Sequence, residues 1–196
     1  GLLESTDEDR RSAGFSLGHL ALGGSLGGHR PTSVGAVAEM MRAATTVELP
    51  RNRLSAEEAG LLSRALQCTT SLTSLDLSFN DLCDAGVEAV SSALRLNASC
   101  RLRVLDLTYN DFRADGALAL AAYVAQSTTL GELSVRNNEL GEDGCVAIGQ
   151  MLSSTALTRL DLSGTKLTPK GCKTIAAALQ HNVALTFLSV QDLEDD

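Results

Sequence analysis

The chain has 196 residues, 44% hydrophobic and 20% charged, so it can bury a continuous core and is not a disordered polypeptide. Its formal charge of −8 disfavours a phosphate backbone or an anionic membrane as ligand, since either demands a basic face, and leaves basic proteins as plausible partners, although acidic balance is also a common route to solubility. Aromatics make up only 3%, with no Trp, so the core must be built from many similar aliphatic side chains.

In chain order, residues 1–16 form a charged N-terminal segment without the basic n-region of a signal peptide, expected to be disordered. The absence of an initiator Met suggests a fragment or processed chain, part of a larger protein or complex. Next, Leu20 to Arg30 runs from an expected strand into a glycine loop, with a helix expected from about Ser33. A phosphate-binding loop has that context, but His29 stands where its Lys belongs and Arg30 where its hydroxyl belongs. A degenerate repeat with a flexible turn is the better reading.

From residue 44 the chain repeats. Leu72, Leu75, Leu77, Asn80 and Leu82 are followed by Leu102, Leu105, Leu107, Asn110 and Phe112. Then come Leu130, Leu133, Val135, Asn138, Leu140 and Leu157, Leu160, Leu162, Thr165, Leu167. Upstream lie Ala44, Val47, Leu49, Asn52 and Leu54; downstream an incomplete copy has Leu185, Leu188 and Val190. A weaker copy at Leu17, Leu20, Leu22 and Ser25 would add a seventh parallel strand near 19–22. Six residues after the Asn position sit Gly86, Gly116, Gly144 and Gly171, with Glu58 as the departure. Apolar residues follow at ten and fourteen, the four-residue spacing of one helix face. Each unit is thus a strand, a turn and a helix that cannot bury its own apolar face, so neighbours must stack. Strands are expected near 46–49, 74–77, 104–107, 132–135, 159–162 and 187–190, all parallel.

The period near 28, the Asn after the strand and the Gly at the helix start resemble the ribonuclease-inhibitor-like leucine-rich-repeat family from about Leu17 to Leu193, within an expected repeat domain over 17–196. The resemblance implies an α/β right-handed solenoid, or horseshoe, with a concave parallel sheet and convex helices. It implies a protein-binding module or scaffold subunit rather than an enzyme. Relatives also include activators of the small GTPase Ran, for which Arg51, Arg136 and Asn137 are the positions to watch, and inhibitors of basic enzymes. No motif of this sequence selects either.

Other chemistry is thin. His19, His29 and His181 fall on different units, and no nucleophile, base and acid converge. Cys68, Cys83, Cys100, Cys145 and Cys172 are odd in number without C-x-x-C spacing, so neither a disulfide framework nor a zinc site is indicated. No cofactor is expected. Cys145 and Cys172, each one residue after the repeating Gly, are expected in the helix–strand core. The thiols favour a reducing, intracellular and cytoplasmic setting, with nucleus, cytoskeleton and cilium left open, and argue against use of the sequon Asn97-Ala98-Ser99. The longest apolar run, Ala117 to Ala125, is too short to cross a bilayer.

The asparagines are expected to bond backbone groups of their own and neighbouring turns. Positions facing the concave side carry the functional signal. One column reads Glu48, Asp76, Asp106, Ser134, Asp161 and the next Glu132, Arg159, Phe187; just before each Asn stand Arg51, Phe79, Tyr109 and Asn137. At about 5 Å and an effective dielectric near 40, neighbouring carboxylates repel by roughly 1–2 kcal/mol, which favours a basic ligand. The candidate protein-binding set is Glu48, Asp76, Phe79, Asp106, Tyr109, Glu132, Arg136 and Asp161, with the aromatics as anchors. The plainer alternative is a generic polar face whose aspartates point to solvent.

Overall fold

The computed structural model describes residues 44–191, Met41 and a strand at 21–23. The charged segment 1–16 and the glycine loop beyond residue 23 lie outside the described residues. Strands β2 (Thr46–Glu48), β3 (Ser74–Asp76), β4 (Val104–Asp106), β5 (Glu132–Ser134), β6 (Arg159–Asp161) and β7 (Phe187–Ser189) form one parallel sheet in chain order. Its register is unbroken, with Val47, Leu75, Leu105, Leu133, Leu160 and Leu188 in a single row. Between them lie helices α1 (Ala56–Leu66), α2 (Cys83–Leu96), α3 (Ala114–Val124), α4 (Gly141–Met151) and α5 (Pro169–Leu179), each packed on the next. This is the expected α/β solenoid.

The middle residue of each strand from β2 to β6 is buried and its neighbours are not, because successive side chains alternate across a sheet. The residues ten and fourteen after the Asn position are buried from Leu62 and Leu66 through Val90 and Leu94 to Ile148 and Leu152, while Leu179 in the last helix is only partly buried. Two turn types alternate along the solenoid. After Asn52, Asn110 and Thr165 the next residue (Arg53, Asp111, Lys166) has positive φ and the helix starts at the fourth. After Asn80 and Asn138 the positive φ falls on the third residue, Cys83 or Gly141, where the helix itself begins.

The seventh parallel strand is corrected. Strand β1 (Ala21–Gly23) joins the sheet, but antiparallel to β2, with Leu22 opposite Val47. Alternation of Leu20 and Leu22 reads the same in either direction; polarity resides in the Asn and in the crossover helix that a parallel neighbour needs. That weak copy has Ser25 in place of the Asn.

The asparagine ladder is present and unequal. Asn80 Nδ2 donates to the carbonyls of Leu49, Leu77 and Ser78, while its Oδ1 accepts from the N–H groups of Asn52 and Leu54. Asn110 and Asn138 repeat the donor pattern onto Leu77 and Leu107 of the preceding units. Asn52 is only half-buried and donates to Pro50. Among the described residues the Thr165 hydroxyl donates within its own unit, to the Leu162 carbonyl.

Cys172 is also corrected: Cys145 is fully buried but Cys172 is exposed. Cys145 is covered because Gly171 of the next helix sits against its Cβ, leaving no room for a side chain on that glycine. No described helix packs against Cys172 in the same way. Asn97 of the sequon is buried, its amide donating to the carbonyls of Leu66 and Thr69 across the repeat.

Candidate functional site

The sheet ladder continues past the strands into the turns, and this places the candidate aromatics. The N–H groups of Arg51, Phe79, Tyr109, Asn137 and Gly164 donate to the carbonyls of Ser78, Thr108, Arg136, Ser163 and Gln191 at 2.8–3.0 Å. To keep that pairing, all five adopt positive φ, between 54° and 68° for the last two and 52–58° for the others. For residues with a Cβ this conformation costs roughly 1–2 kcal/mol, which the ladder must offset. The side chains consequently form a column along the rim of the sheet.

Within it, Phe79 and Tyr109 stack with ring centroids 4.9 Å apart and planes 22° from parallel. The Arg51 guanidinium lies 4.5 Å from the Phe79 centroid. Both rings remain exposed, 41% and 46%. Exposed, mutually braced aromatics supply contact area at little further entropy cost, the property of binding anchors. Arg51 lies outside the candidate set above, although the column alignment carries it there, since it precedes Phe79 by one period.

The aspartates do not stand free in solvent, which corrects that expectation. Oδ1 of Asp76, Asp106 and Asp161 each accepts the N–H two residues on, at Ser78, Thr108 and Ser163, all at 2.8 Å. These half-buried carboxylates therefore brace the start of the turn as well as charging the face. Burial pushes the Asp106 carboxyl above its usual range, reinforced by the Asp76 and Asp161 charges and opposed by the Thr108 bond. Between Asp106 and Asp161 the row is broken by Ser134, whose hydroxyl bonds that of Thr108.

Glu132 is half-exposed and pairs with Arg159 at 3.7 Å, and the Arg159 guanidinium also lies 4.2 Å from the Phe187 ring centroid. Together with Asp106, Ser134, Asp161 and Val104 these line a shallow groove of about 270 Å³. Glu48 is exposed at the first parallel strand, beside Asp76 in register. Arg136 is exposed and makes its contacts through its carbonyl, to Tyr109 and to Asn138. The predicted residues thus fall into three groups: the carboxylate row, the rim aromatics, and the Glu132 groove, with Arg136 beside the rim. Among the described residues no helix is long and apolar enough to cross a membrane, and no cluster of three or more His, Cys, Asp or Glu suits a metal ion.

Comparison with known proteins agrees with this architecture. The family model described as Leucine Rich repeat matches residues 69–91, 98–121, 126–149 and 153–176. The human NACHT, LRR and PYD domains-containing protein 13 is 32% identical over 154 residues, covering 76% of this chain and 14% of that protein. Pig ribonuclease inhibitor is 30% identical over 141 residues, covering 71% of this chain and 31% of the inhibitor. The chain therefore spans less than a third of either relative. Among solved structures, that titled Leiomodin-1 Actin-Binding Site 2 superposes with a TM-score of 0.62 at 21% identity, covering 76% of this chain and 86% of that one. The repeat, the parallel sheet, the asparagine ladder and these matches make the chain a member of the ribonuclease-inhibitor-like leucine-rich-repeat family.

Proposed function

We propose that this chain is a non-catalytic interaction module or scaffold subunit, within a larger protein or complex, that holds a protein partner against its concave face. The observation that carries this reading is the exposed Phe79–Tyr109 stack on the rim, braced by Arg51 and adjoining the carboxylate row Glu48, Asp76, Asp106. A ring pair held in positive-φ turns contributes little to the core, and its exposed area suits a partner's side chains. The aspartates favour a basic partner, although their backbone bonds show that part of their role is local. The protein partners named in the titles of ribonuclease inhibitor and the leiomodin site support the same class of function.

The Ran-activator reading has less support. Of the three positions named for it, Arg51 is stacked on Phe79 and Asn137 lies over Gly164, which leaves Arg136 alone with an exposed side chain.

The test is affinity purification with wild type and with Tyr109→Ala, followed by titration of each purified partner. Tyr109→Ala is expected to weaken binding by about 1–3 kcal/mol, mainly through faster dissociation, with the circular dichroism spectrum unchanged. Unchanged affinity would move the site to the helical face or a solenoid end.

A further inference from the structure

The rim column is a pile of planar groups with one closed end and one open end. At the closed end the chain's own guanidinium, from Arg51, covers Phe79. At the other end, the position after Tyr109 is Asn137. Its amide is turned toward Gly164, occupying the place a Cβ on that glycine would need. Among the described residues no second ring or cation covers the far side of Tyr109, which is 46% exposed. The carboxylates of Asp76, Asp106 and Asp161 have no ion-pair partner among the described residues.

We propose that the open face of Tyr109 is a receptor for an arginine side chain on a protein partner, its guanidinium extending the Arg51–Phe79–Tyr109 pile and its charge answering the aspartate row. The proposal rests on the concave-face reading above and names the partner's chemistry. Arginine fits better than lysine, because a guanidinium is planar and weakly hydrated and stacks on aromatic faces while its edge donors stay free for carboxylates. Arg51 on Phe79 shows the same contact made within the chain. A carboxylate-bearing or phosphate-bearing partner would meet the aspartate row with the wrong sign.

The experiment titrates the purified protein with a peptide of alternating arginine and serine and with its lysine counterpart, following the tyrosine ring resonances by NMR. Only two tyrosines exist, and Tyr123 is buried, so it serves as the internal reference. The arginine peptide is expected to shift the Tyr109 ring and to bind about three-fold tighter than the lysine peptide, the advantage of a stacked planar guanidinium over a strongly hydrated ammonium. Tyr109→Leu should erase the preference and Tyr109→Phe should keep it. Equal binding of the two peptides, or a Tyr109 ring that does not shift, overturns the proposal. If both peptides bind equally and Asp76→Asn with Asp106→Asn weakens both, the concave-face reading survives while the arginine receptor fails. If neither peptide binds, both basic-ligand readings fail together.

Discussion

The backbone N–H of Asn110 donates to the side-chain Oδ1 of Asn138, 2.8 Å away and 28 residues further along the chain. Oδ1 of Asn110 itself is buried and accepts no hydrogen bond. The difference follows from the alternating turns, which offer the Asn80 N–H to the carbonyl of Tyr109 instead. Asn138→Ala should therefore cost more stability than Asn110→Ala: the first strands an N–H and several carbonyls, the second only carbonyls. Both should fall within about 1–3 kcal/mol. Lys173→Ala, on the exposed side of α5, should leave the unfolding midpoint unchanged. Chemical denaturation of the three variants checks the order; equal midpoints for all would refute the ladder account.

Helix α3 takes its N-terminal cap from another repeat. Oδ1 of Asp84, on α2, accepts the N–H groups of Arg113 and Gly116, both at 2.7 Å, and no side chain of α3's own cap residue does so. Asp84→Ala should destabilise the chain by about 0.5–2 kcal/mol, the usual cost of losing a cap. Asp84→Asn keeps an acceptor oxygen and should recover most of it. Thermal melts of the pair distinguish capping from simple charge removal.

The raised Asp106 carboxyl makes a prediction in pH. Burial, then its neighbouring carboxylates, disfavour its charged form, so ionisation costs more in the folded than in the unfolded chain. That penalty is fully present above the folded pKa and is relieved as pH falls through it. Asp106→Asn keeps an oxygen to accept from Thr108 and should be at least as stable as wild type at pH 7. The difference should shrink as pH drops into and below the carboxylate range. An advantage that grows on acidification would contradict the assignment.

Close approach of the helices also has a test. Gly171 lies against Cβ of Cys145, so Gly171→Ala forces α4 and α5 apart and should cost about 1–3 kcal/mol. Cys145→Ala retains the Cβ and should give no relief in the double variant. Cys145→Gly removes it and should recover part of the loss. Denaturation midpoints for the three backgrounds decide.

The sequence alone determined the repeat, the strand and helix order, and the residues that share each column, because a stacked solenoid turns a period directly into spatial adjacency. Asp76 beside Asp106 and Phe79 beside Tyr109 follow from register alone. Only the tertiary structure decided the direction of β1, since alternation carries no polarity. It also decided that the aspartates bond the turn N–H groups and that Arg51 covers Phe79, because a column alignment says which residues are neighbours and nothing of side-chain torsions. Burial of Cys145 and exposure of Cys172 at equivalent positions likewise depend on whether a further helix packs beside the thiol, a contact that the local repeat does not encode.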